Sequence, residues 1–199
     1  MTAVPFYLFI MKKLTKPGRI SIVIAMLFLG TLWLFPMWRI DLRAPQYPGG
    51  LSMQIWLNDI KGDVPIINGL NHYIGMNEIK KEDFREFIFL PIAMLLFILL
   101  GIPVLILKRK LYYYIWTVLF ICIAAFSFYD FYMWEYNYGH HLDPHAPIQV
   151  PGMSYQPPLF GYKKLLNFEV LSQPDVGGWF YIGTGVLLVS ITIYEWKKK

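Results

Sequence analysis

Four long apolar stretches limit what this chain can fold into more than any other feature of its sequence. They cover residues 20–38, 87–107, 111–129 and 179–196, and the first three contain no charged side chain at all. A helix needs about 20 mainly apolar residues to cross the hydrocarbon layer of a membrane. Lipid cannot satisfy a bare peptide N–H or C=O, so stretches of this kind cross as helices whose peptide groups bond within the segment. Pro91 and Pro103 fall inside the second stretch, where neighbouring helices can take up the freed carbonyls. Gly101 lies between them, suited to a close helix contact.

Lysine and arginine set the expected orientation. Lys12, Lys13, Lys16 and Arg19 precede the first span, Lys108, Arg109 and Lys110 join the second to the third, and three lysines end the chain. That side holds ten basic residues and a single acid, Glu195, whereas the other side carries twelve of the 13 acids. Basic flanks stay in the cytoplasm, so four spans imply both ends inside. The net charge of +5 is therefore a matter of topology and not a nucleic-acid footprint. Hydrophobic residues make up 56% of the chain and charged ones 16%, below the roughly 25% of a soluble domain.

The organisation read from this pattern is an all-α membrane protein with four transmembrane helices and two structured extracytoplasmic loops. Its segments are a cytoplasmic stretch at 1–19, spans at 20–38 and 87–107, a cytoplasmic turn at 108–110, spans at 111–129 and 179–196, and a tail at 197–199. The outer loops occupy 39–86 and 130–178. Residues 11–19, MKKLTKPGR, resemble the start of a signal sequence, but the following run ends in LWLFPMWRIDLRAP. With no small-x-small cleavage site there, an uncleaved anchor is expected. Residues 1–10 read either as an extension from a misplaced start codon or as a short interfacial segment.

Both outer loops are rich in aromatic residues, Pro and Gly, a composition for fixed turns rather than a solvated linker. Leu51, Met53, Ile55 and Leu57 alternate with Ser52, Gln54, Trp56 and Asn58, the period of a short strand. Residues 77–89 read as an interfacial helical turn leading into the second span. The second loop carries six prolines between Pro144 and Pro174, which argues against long regular elements.

All four histidines lie in these loops. His72 and Met76 occupy the first; His140, His141, His145 and Met153 occupy the second. Imidazole and thioether are copper ligands, and soft Met favours Cu(I) over zinc. Asp130, Glu135 and Asp143 are available to orient a ligating imidazole or to hold the loop to basic groups and water. Arg39 and Arg43 suit lipid phosphate or a pairing with loop acids. Cys122 is the only cysteine, so no disulfide or paired-cysteine metal clasp can form. The spans hold no histidine to ligate haem, and phosphate loops, HExxH and serine elbows are absent. Glu195 is the single charge inside a span, which argues against a proton-coupled pump and, with the missing motifs, against an enzyme working alone.

The phrases RIDLRAPQYPGGLSMQIW, INGLNHYIGM, HHLDPHAPIQVPGMSYQPPLFGYKKLLNF and PDVGGW give the chain a resemblance to a family. It resembles small multi-span membrane proteins encoded beside bacterial nitrous oxide reductase and its copper-maturation factors. The matching region runs from about Trp38 to Trp179. The resemblance implies an inner membrane, loops in the periplasm and copper as the metal, with His72, Met76, His140, His145 and Met153 as carried-over ligands and His141 as a further one. Three functions are then in play. The first is an accessory protein that handles copper or supports maturation of a periplasmic copper enzyme such as nitrous oxide reductase. The second is a docking subunit for a partner on the periplasmic face, with no metal of its own. The third is a membrane enzyme or quinone-linked carrier. No nucleic-acid partner is expected.

Overall fold

The computed structural model describes residues 12–198, so the alternatives for residues 1–10 lie outside the described part. Helix α1 spans Lys16–Gly30 and continues as a 3-10 turn to Trp33. Strands β1 (Trp38–Ala44), β2 (Tyr47–Ile55) and β3 (Ile60–Gly62) follow, then helix α2 (Val64–Ile74). Helices α3 (Glu86–Leu107) and α4 (Lys110–His140) form a hairpin, and β4 (Gly161–Leu165), β5 (Phe168–Pro174) and α5 (Val176–Lys197) complete the described chain.

The all-α expectation is wrong. The two loops contribute to one five-stranded antiparallel sheet in the order β3-β2-β1-β5-β4. β1 is the hinge of this arrangement, pairing Ile40 with Met53 on one side and with Ser172 on the other. The reason lies in alternation: Ile40, Met53 and Val170 are buried on one face, while Arg39, Asp41 and Gln173 fall on the other, as a period of two requires. Residues 51–55 do form part of a strand, but Leu57 lies beyond its end. The residues around 81–83 make only a 3-10 turn before α3 begins.

Four helices, α1 with its 3-10 turn, α3, α4 and α5, are long and apolar enough to cross a membrane. Their shared core includes Ile22, Leu29, Phe97, Tyr113, Trp116 and Leu188. The Phe97 and Trp116 rings stack at 4.8 Å, and the Trp116 indole N–H donates to the Phe97 carbonyl at 3.0 Å. Gly101 packs tightly under them, where a Cβ would stand 3.2 Å from the Trp116 ring. At the basic end, the buried Lys110 ammonium lies 3.1 Å from the Glu195 carboxylate and donates to the Lys198 carbonyl at 2.9 Å. The same carboxylate accepts from the Thr15 N–H at 3.1 Å. One acid thus ties three segments together, consistent with buried charge being tolerated when paired.

α4 has 31 residues and so measures about 46 Å at ~1.5 Å per residue. The hydrocarbon layer is about 30 Å thick, so about twenty residues of α4 suffice to cross it and the last ten or so are left to project beyond. That projecting part, with α2, covers the apolar face of the sheet: Phe131, Trp134 and Tyr138 pack on the cluster of Ile40, Leu51, Met53, Ile67, Ile79, Leu165 and Val170. α4 is therefore both a helix long and apolar enough to span and the spine of the module built on the sheet.

The module meets the bundle where α1 passes into β1. Gly177 N–H donates to the Pro36 carbonyl at 2.8 Å, and Asp175 N–H to the Met37 carbonyl at 3.1 Å. A Cβ on Gly178 would sit 2.0 Å from the Met37 carbonyl oxygen, inside any permissible contact. Gly178→Ala is expected to lose most folded, monodisperse protein in detergent. Gly183→Ala, whose nearest neighbour is the Phe28 ring at 3.7 Å, should leave the thermal midpoint unchanged or raise it, because Ala is the better helix former. Fluorescence-detected size exclusion with a thermal ramp checks both.

Candidate functional site

The two loops carrying the predicted ligands interlock through their backbones. α2 ends at Gly75, which takes the left-handed conformation with φ 79°. The Gly75 carbonyl accepts from Asp143 N–H at 2.8 Å, and the Tyr73 carbonyl accepts from Ile148 N–H at 2.9 Å. A side chain at position 75 would also press on the Asp143 backbone at 2.9 Å. The His72 helix end and the His145 loop therefore share one edge of the module.

The side chains on this edge point mostly to solvent. His72, His140, His141 and His145 are all exposed. His140 lies against the Tyr136 ring, centroids 4.0 Å apart, with its Nδ1 2.9 Å from the Tyr136 carbonyl; His141 repeats that backbone contact with Asn137 at 3.2 Å. Each imidazole is thus held by its own helix and offers only Nε2 outward. Asp143 accepts from the His145 backbone N–H at 2.8 Å. Met76 lines a small cavity of about 70 Å³ beneath the sheet, and Met153 is half-buried in a turn closed on Val150. Among the described residues no group of three or more His, Cys, Asp or Glu is placed to hold a metal ion. What the described residues supply on this edge is a set of exposed imidazoles.

Two of the acids behave unlike surface groups. Glu135, on the projecting end of α4, is fully buried against the sheet, and neither carboxylate oxygen finds a hydrogen-bond partner. Burial raises its pKa from 4.5 to about 8, against a weaker opposing pull from Lys163, because ionising a carboxyl away from water is costly. Asp130, one turn nearer the bundle, lines a different and larger space together with Glu86. Arg39 follows the simpler expectation, pairing with Asp41 at 3.0 Å.

That larger space is a cavity of about 150 Å³ where the sheet meets the ends of α3, α4 and α5. Aromatic rings dominate its wall, among them Trp38, Phe84, Phe87, Phe131 and Trp134. Trp38 stands edge-on to Phe131 at 5.4 Å, and its N–H donates to the Ser172 hydroxyl at 2.8 Å. The Trp56 indole N–H, also on the wall, is buried without a hydrogen-bond partner, and the buried Tyr181 hydroxyl there has Ser127 as its polar neighbour. Nothing linear in the sequence marks this convergence. The Trp and Tyr residues lie far apart in the chain, and the β1–β5 pairing brings them together.

Comparisons of the chain with protein-family models, with curated proteins and with solved structures find no match.

The raised Glu135 pKa fixes the sign of a pH effect. The folded state binds this proton more tightly than the unfolded chain, so the contribution to stability falls as pH rises from 4.5 to about 8 and is level above that. Glu135→Gln should flatten the slope and stabilise the module at pH 8 by an amount on the order of a few kcal/mol. Thermal unfolding of both proteins between pH 5 and 8.5 measures it; parallel curves would contradict the assignment.

Proposed function

We propose that this protein is an integral membrane accessory subunit whose outer β-module docks a partner protein on the extracytoplasmic face. The observation that carries the reading is the module itself: a five-stranded sheet with one face fastened to α2 and α4 and a polar face left to water. That polar face presents Arg39, Asp41, Arg43, Gln54 and Gln173, side chains suited to a specific and reversible protein contact. Its basic opposite end supports a topology with both termini in the cytoplasm, in a bacterial inner membrane. The family resemblance suggests the setting, maturation of a periplasmic copper enzyme such as nitrous oxide reductase.

A second reading, direct copper relay, is favoured by one observation: the hydrogen bonds from Asp143 and Ile148 to the α2 end hold the His72 and His145 segments on one edge. Exposed imidazoles with free Nε2 atoms suit a metal passed on rather than one retained. His72, His140, His141 and His145, with Met76 and Met153, are its candidate donors.

One experiment separates the two. Purified in mild detergent, the protein should retain a partner after His140→Ala and His145→Ala, and lose it after Arg39→Glu with Arg43→Glu. Competition titration with a Cu(I) chelator on the same samples tests the relay. Stoichiometric Cu(I) lost with the two histidine changes would establish relay, whereas a partner lost with those changes would contradict docking through the sheet.

A further inference from the structure

The geometry points to the cavity between the sheet and the ends of α3, α4 and α5 as a binding site for a flat, lipid-soluble carbonyl compound, the headgroup of a prenylquinone. This goes beyond the docking role and does not depend on it.

Size comes first. The cavity measures about 150 Å³, and an apolar void of ~150 Å³ holds one benzene-sized ring. Shape agrees, because Trp38, Phe131 and Trp134 offer ring faces and edges against which a flat six-membered ring packs.

The polar atoms then narrow the chemistry. The Trp56 indole N–H on the wall is buried and has no hydrogen-bond partner. The Tyr181 side chain is only 6% exposed, and its hydroxyl, beside Ser127, is a second polar group at the ring position. An indole N–H donates and cannot accept, and buried donors in folded proteins are nearly always satisfied. The missing occupant must therefore bring acceptors on an otherwise apolar body. A hydrocarbon chain alone brings none. A quinone ring brings two carbonyl oxygens on opposite sides. Asp130 and Glu86, also on the wall, add carboxyl groups beside the ring position.

Access fits as well. α3 and α4 are packed together midway along by Phe97, Trp116 and Phe120, whereas nearer the sheet the cavity lies between them, flanked by Phe87, Leu90 and Phe126. An isoprenoid tail leaving there enters the acyl layer directly.

Phospholipid ester carbonyls share the acceptor chemistry, so the test must tell the two apart. The full chain is reconstituted in phosphatidylcholine nanodiscs and titrated with decylubiquinone, using quenching of tryptophan fluorescence as the readout. Saturable quenching is expected, about five-fold weaker in Tyr181→Phe and weaker again in Tyr181→Phe with Trp56→Phe. Decylbenzene, which has the shape but no carbonyls, should fail to displace the quinone at equal concentration. If either variant proves unstable, the decylbenzene competition on the unaltered protein decides alone. Quenching that rises linearly with quinone, equal displacement by decylbenzene, or loss of the quinone on adding phosphatidylethanolamine would overturn the assignment.

Discussion

The pairing of β1 with β5 is the interaction on which the rest of the structure depends. It runs from Trp38 opposite Pro174 to Arg43 opposite Glu169, joining segments that lie on either side of the α3–α4 hairpin. Without it there are two loops; with it there is one sheet, one apolar face for α2 and α4 to cover, and a roof over the helix ends. The open edges at β3 and β4 carry peptide groups that only water or protein can satisfy. In any bilayer that the four apolar helices cross, such a sheet can stand only beyond the hydrocarbon layer, and the length of α4 suits that place.

The same pairing creates the two buried polar anomalies. In closing the sheet over α4 it strands Glu135 against Ile40, Met53 and Val170, and in bringing Trp38 to the ends of the spans it encloses the aromatic cavity. Orphaned buried groups are rare in folded proteins, so both sites are places where stability has been given up. The first answers to pH. The second is completed by a ligand with acceptors, on the reading argued above. The histidine edge is different in kind, since its imidazoles are exposed and its order comes from backbone hydrogen bonds between Tyr73, Gly75, Asp143 and Ile148.

Much of the bundle was legible in the residues, and much of the module was not. Long uncharged stretches with basic flanks mark helices long and apolar enough to span, and those helices begin within a few residues of the limits read from the sequence. The alternation at Leu51, Met53 and Ile55 announced one strand. The equally regular alternation of Ile40 and Leu42 with Arg39, Asp41 and Arg43 was masked by the end of the first apolar run, and that of Val170 and Ser172 by the prolines preceding it. The continuation of α4 past Asp130 was hidden because its hydropathy falls while its aromatic stripe of Phe131, Trp134 and Tyr138 persists. Glu135 carries no local signal at all, since burial without a partner is a property of the assembled neighbours. The histidines were conspicuous by type, but composition could not show that all four are exposed.

The central claim is that both loops fold as one sheet on a single side of the membrane. Arg39 and Gln173 are register partners across β1 and β5, whereas Lys164 lies on the outer strand, paired with Glu169 of β5. With Cys122 changed to Ala, oxidative cross-linking of Arg39→Cys with Gln173→Cys in intact membranes should be rapid and near complete, and the Arg39→Cys, Lys164→Cys pair should remain uncoupled. No coupling of residues 39 and 173, or equal coupling of both pairs, would contradict the account.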